Sequence, residues 1–344
     1  MPAHHWHDPV TGEQKHSSLA VRPTSSGTVS LAVPVLFIVF NRSRETAKVF
    51  EAIRHVRPER LYLAADGPRK GRPEEARKCE EVRAIVGGID WRCEVNTLFS
   101  AENLGCKQAV SSAITWFFDN ESEGIILEDD CLPSPSFFSF CQELLARYRD
   151  DERVWQVCGT SILNPSSYSQ REDSYIFSRY GPVWGWATWR RAWVHYDANL
   201  TDWLFMRRPQ FLNSVFENAP ERRFWLDLGN KLHRRQIDTW DYQWDFTKAY
   251  QSGLSVIPCE NMIVNIGFGS DATHTFKAQR WVPHSMSDVR GPIKHPRYVI
   301  IDEAHDLLYR RKVRLGSRRA RAKNLVSTFA KWSLQPLRHF SNAH

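Results

Sequence analysis

Gly124-Ile125-Ile126-Leu127-Glu128-Asp129-Asp130-Cys131-Leu132-Pro133 runs a short apolar strand straight into three consecutive carboxylates. A run of this kind, bounded by turn residues and free of polar alternation, is the pattern of a strand covered on both faces. Open α/β sheets bind ligands outside the carboxyl ends of their strands, so acids placed there point to a site as well as to a fold. Three adjacent carboxylates repel one another. A divalent cation with hard oxygen preferences, Mg²⁺ or Mn²⁺, relieves that repulsion and bridges to phosphate oxygens, needing only one or two protein carboxylates. A solvated acidic turn is the alternative. The metal reading requires Asp130 to face a cleft and not to lie buried against a cation of the protein's own.

Working outward, strands and amphipathic helices alternate from residue 33. Residues 33–40, 60–65, 92–99 and 124–127 read as strands, and residues 74–86 and 103–118 as helices. Ser43 is placed to cap a first helix carrying Ala47, Phe50 and Ile53 on one face. Pro135 opens another helix, continued by Phe138, Cys141, Leu145 and Tyr148 at helical spacing. Beyond residues 154–159 the chain is more aromatic and less regular, with strands expected at 175–178 and 255–264. The whole predicts an α/β fold with a mostly parallel central sheet and helices on both faces.

Residues 1–30 read as a leader without regular structure, its His4, His5 and His7 able to bind metal only adventitiously. Residues 31–285 form the main domain, divided into a nucleotide-binding half (31–150) and an acceptor half (151–285), and 286–344 a basic extension. The 344 residues carry a net charge of +7. Residues 300–344 hold ten Lys or Arg against Asp302, Glu303 and Asp306, which by itself matches that excess. A basic tail on a near-neutral body fits peripheral contact with an anionic membrane, or a solvated tail, better than nucleic-acid binding in the main site. Seven Cys without a C-x-x-C pair argue for reduced thiols, and the apolar run 31–40 is too short to span a bilayer. The expected location is cytoplasmic, with peripheral placement on the inner membrane face.

Taken with Pro133 and Pro135-Ser136-Phe137-Phe138, the acidic turn resembles the metal-binding motif of GT-A fold nucleotide-sugar glycosyltransferases. More narrowly it is similar to the N-acetylglucosaminyltransferase that initiates complex N-glycans and to related bacterial sugar transferases. The likeness extends more weakly over residues 33–274. It implies Asp130 as the metal ligand, Glu128 and Asp129 against sugar or ribose, Asp66 against the base, and Asn103 and Gly105 along the nucleotide pocket. Arg42 is placed to face a phosphate; an exposed, solvent-paired Arg is the alternative. The donor base implied is uracil, and the acceptor a glycan or lipid-linked hydroxyl.

An inverting displacement needs a carboxylate that takes the acceptor proton. By position the resemblance puts it in Trp240-Asp241-Tyr242-Gln243-Trp244-Asp245, with Asp241 as base and Asp245, one helical turn on, in reserve. Trp184-Gly185-Trp186-Ala187-Thr188-Trp189 reads as a loop whose indoles stack on a sugar, or as a structural cluster. His274, in Gly267-Phe268-Gly269-Ser270-Asp271-Ala272-Thr273-His274-Thr275, would complete the metal shell. Two other functions stay open: a metal-dependent phosphoesterase, and a carbohydrate-binding protein without turnover.

Overall fold

The computed structural model describes residues 30–167, 171–216, 218–268, 282–289 and 291–314. His274 and every cation of the tail beyond Arg314 therefore lie outside the described residues. The strands are β1 (Val35–Val39), β2 (Arg60–Ala65), β3 (Glu94–Phe99), β4 (Glu123–Glu128), β5 (Cys131–Pro133), β6 (Val154–Cys158), β7 (Tyr175–Ser178), β8 (Trp186–Trp189), β9 (Leu254–Pro258) and β10 (Ile263–Asn265). The helices are α1 (Ser43–Val56), α2 (Pro73–Val86), α3 (Cys106–Asn120), α4 (Pro135–Arg147), α5 (Arg190–Trp193), α6 (Trp203–Met206), α7 (Pro209–Val215), α8 (Ala219–His233), α9 (Asp241–Tyr250) and α10 (Glu303–Tyr309).

Eight strands form one sheet in the order β3-β2-β1-β4-β8-β6-β9-β7. Its first half, β3-β2-β1-β4, is parallel throughout, while β8 and β7 run antiparallel to their neighbours. The expected α/β fold with a mostly parallel sheet is the one observed. Alternation of side chains along a strand then assigns the faces. Val35, Phe37 and Val39 of β1 join the core under α1, α2 and α4, whereas Leu36 and Ile38 join the core under α3, α5 and α9.

Local details depart from the sequence expectation. Helix α1 buries Thr46, Val49, Phe50 and Ile53, leaving Ala47 exposed. Ser43 does not cap α1; its hydroxyl donates to Glu81 on α2 at 3.0 Å. Residues 255–264 split into β9 and β10, and β10 pairs antiparallel with β5. That small two-stranded ribbon brings Ile266 N within 2.8 Å of the Asp130 carbonyl, so the chain after β10 starts at the acidic turn.

Candidate functional site

Strand β1 has β2 on one side and β4 on the other, and the chain leaves β1 toward β2 before returning to β4. This reversal of strand order falls at the carboxyl ends of β1 and β4, the place where such sheets take ligands. Arg42 follows β1, and Glu128, Asp129 and Asp130 end β4. The fold thus brings together two segments more than eighty residues apart.

The Arg42 guanidinium bridges the two later acids, its Nη1 lying 3.2 Å from Asp129 Oδ1 and 2.7 Å from Asp130 Oδ2. The Asp129 carboxylate also accepts from Phe40 N at 3.2 Å and is buried. Burial, then the Asp130 charge, pushes the Asp129 carboxyl up to about 7 despite the opposing pull of Arg42. Glu128 lies well above the usual carboxylate range for the same reasons, with Asp241 contributing as well. Alternation along β4 explains the split. Ile126 faces α3 and α9, so Glu128 faces that way too and meets Asp241 at the start of α9.

Asp130 therefore does meet a protein cation, against the requirement set out from the sequence. The physical reason is the one that predicted a metal: crowded carboxylates in a half-buried turn draw in the nearest positive charge. Asp130 is not sealed by this pair, since its side chain keeps 18% exposure. The guanidinium acts as a stand-in ion, and in that sense the residues fit a cation. No group of three His, Cys, Asp or Glu converges on one point among the described residues. Among the described residues, Asp130 is the acid that would hold an ion here, with phosphate or water among its other ligands.

Asp66 and Asn103 are also joined. Asp66 Oδ1 accepts from Gly67 N at 2.8 Å and Leu104 N at 2.9 Å, and Oδ2 accepts from Asn103 Nδ2 at 2.8 Å. Burial raises the Asp66 carboxyl, opposed by these backbone donors. Much of its bonding capacity is spent on latching residues 103–105 to the end of β2. Gly105 has φ +80°, a conformation that favours glycine, and packs on Asp238. The Asp238 carboxylate accepts from Cys106 N at 3.1 Å and Lys107 N at 3.3 Å, satisfying the first amides of α3. Nothing in the spacing of the sequence signalled Asp238, which lies over a hundred residues from the helix it caps.

The aromatic segment needs correction. Trp186 and Trp189 are on strand β8, not in a loop, and are 0% and 2% exposed. Trp186 stacks on Trp240 at 5.8 Å, and Trp189 Nε1 donates to the Leu145 carbonyl at 3.2 Å. They build the core and cannot reach a sugar. Trp184, which precedes the strand, is half-buried and meets Phe268 edge-on at 5.9 Å. Phe268 follows Gly267, and a Cβ on Gly267 would collide with the Asp130 carboxylate, so this aromatic pair stands beside the acids.

Asp241 and Asp245 are both half-buried on α9. Asp241 accepts from the Thr239 hydroxyl, and its charge adds to the burial and the nearer acids that raise Glu128 and the Cys106 thiol. The Asp245 charge is felt at Cys158 instead. The α9 helix is fixed by Lys248, wholly buried, whose Nζ donates to Gln156 Oε1 at 2.5 Å and Ser255 Oγ at 2.9 Å. All seven thiols are free, and no described helix is long and apolar enough to cross a membrane.

No family model and no curated protein matches the chain. Among solved structures, HddC from Yersinia pseudotuberculosis aligns at TM-score 0.28 and 10% identity, over 46% of this chain and 78% of that one. A UDP-glucose pyrophosphorylase complexed with UDP-glucose aligns at TM-score 0.30 and 9% identity, over 48% and 78%. The 4-diphosphocytidyl-2C-methyl-D-erythritol synthase from Anaerococcus prevotii aligns at 0.28 and 9%, over 65% and 99%. Likenesses of this size carry no argument about function, which rests on the geometry of the chain's own site.

Proposed function

We propose that the chain is a nucleotide-sugar glycosyltransferase that moves a sugar from a nucleoside diphosphate, with uracil as the favoured base, to a hydroxyl of a glycan or lipid-linked acceptor. The observation that carries this reading is the meeting of Arg42, the Glu128-Asp129-Asp130 turn and Asp241 at the reversal of strand order. A divalent ion held at Asp130, Mn²⁺ or Mg²⁺, would supply Lewis-acid stabilisation of the departing diphosphate.

The protein's own groups divide the remaining work. Arg42 turns its guanidinium to the diphosphate oxygens, where its planar fork suits paired acceptors. Glu128, on the face of β4 toward α9, meets a sugar or ribose oxygen. Asp241 takes the proton of the acceptor hydroxyl. Asp66 and Asn103 form the wall for the base, and Trp184 with Phe268 offers an apolar face to the sugar. His274 in the metal shell, and the basic tail on an anionic membrane, complete the proposal from the sequence.

Titration with nucleoside diphosphates, with and without Mn²⁺, tests the site. Asp241→Asn should lower turnover roughly 10²- to 10⁴-fold while leaving nucleotide affinity unchanged. Failure of every nucleotide to bind, or release of inorganic phosphate in place of nucleoside diphosphate, would remove this reading in favour of a phosphoesterase.

A further inference from the structure

Asp130 Oδ2, an oxygen through which a divalent ion would have to compete, is already engaged by Arg42 at 2.7 Å. The other oxygen, Oδ1, accepts a weak bond from the Cys131 thiol at 3.4 Å. Asp129 Oδ1 is held by the same guanidinium nitrogen at 3.2 Å. The Asp130 carboxylate cannot keep this pairing and also bind an ion through the same oxygen. An ion and a guanidinium on one carboxylate would also repel each other.

We propose that Arg42 is an internal placeholder for the divalent cation: it bridges Asp129 and Asp130, competes with the ion for Asp130, and is released onto the diphosphate when nucleotide and metal arrive together. This rests on the functional reading above and deepens it, since it gives the site an order of assembly. Metal alone must displace Arg42 from Asp130 and forgo that pairing. Metal with nucleoside diphosphate displaces it toward new anionic oxygens. The two ligands are therefore positively coupled, and linkage makes the coupling mutual. Neutralising position 42 removes the competitor and most of the coupling together.

The measurement is the free Mn²⁺ signal in electron paramagnetic resonance, with Mn²⁺ as the only ligand and no turnover required. Wild-type protein should bind Mn²⁺ alone weakly and at least about tenfold more tightly with UDP present, within the usual range of coupling. Arg42→Gln should bind Mn²⁺ alone about tenfold more tightly than wild type, with a smaller gain from UDP, while Arg42→Lys should stay close to wild type. Arg42→Gln combined with Asp130→Asn should lose the gain, which separates this site from binding by His4, His5 and His7. Thermal melts establish that each variant is folded. An Arg42→Gln protein that is folded and binds Mn²⁺ no better than wild type overturns the placeholder. If wild type binds neither UDP nor Mn²⁺ with UDP, the glycosyltransferase reading fails; the comparison of Mn²⁺ alone still reads the competition by itself.

Discussion

At the scale of single residues, the two tryptophans Trp184 and Trp186 show how little a local motif says about exposure. They are separated by one glycine, yet Trp186 is fully buried between β4 and β6 while Trp184 remains half-buried beside Phe268. Gly185, at φ +59°, makes the change of direction, and any side chain there would strike Ile263. Trp186→Ala should therefore lower stability by about 3–5 kcal/mol, as large-to-small changes in a core do. Trp184→Leu should change stability by no more than about 1 kcal/mol but raise the KM for sugar donor or acceptor severalfold. Denaturant titration and steady-state kinetics on the two variants check this; equal KM for wild type and Trp184→Leu would remove Trp184 from the site. The carboxylates follow the same rule. Glu128, Asp129 and Asp130 all end in carboxylates and are adjacent in sequence, but the pleat sends Glu128 toward α9 and the turn sends the other two toward Arg42.

At the scale of elements, helix α3 is held at its start by a residue from far along the chain. No side chain of its own caps it, and the Asp238 carboxylate takes two of its first amide hydrogens. Negative charge at a helix N-terminus is favourable in itself, and loss of such a cap costs about 1 kcal/mol. Asp238→Ala should therefore lower the free energy of unfolding by about that amount, measured by denaturant titration. It should also loosen residues 103–105, because Gly105 packs directly on Asp238. Hydrogen exchange at Leu104 and Cys106 would report it, and unchanged protection there would show that the Asp66 latch suffices alone.

At the scale of the whole molecule, the described chain ends by docking α10 against the far edge of the sheet. Asp306, buried, accepts from Ser178 Oγ at 2.5 Å, and Arg310 pairs with buried Glu221 at 3.5 Å. His305, buried, stacks on Tyr309 of the same helix, and burial lowers its imidazole from 6.5 to about 4. The unfolded chain takes up this proton near the ordinary histidine value, and the folded chain only near the lower one. The stability His305 contributes is thus complete above about pH 6.5 and declines as pH falls toward about 4. Burial raises Asp306, which gives the opposite slope, so the comparison must be with a variant and not with the bare melting curve. His305→Gln should melt below wild type at pH 7.5 by an amount that shrinks as pH is lowered through this window. A constant difference in Tm across the range would contradict it.

The fold class was legible in the sequence because buried parallel strands and amphipathic helices leave strong periodic marks at residues 33–40, 60–65 and 124–127. The acids ending β4 were legible too, being adjacent in the chain and placed by the strand before them. Tertiary structure alone decided what those acids touch. Arg42 reaches Asp130, Asp238 reaches α3, and Asp241 approaches Glu128 only because the sheet brings distant segments to one edge, and spacing along a chain holds no record of such distances. It also decided which indoles are buried, since a Trp in a sheet and a Trp at a crevice have the same side chain and differ only in what the rest of the molecule puts against them.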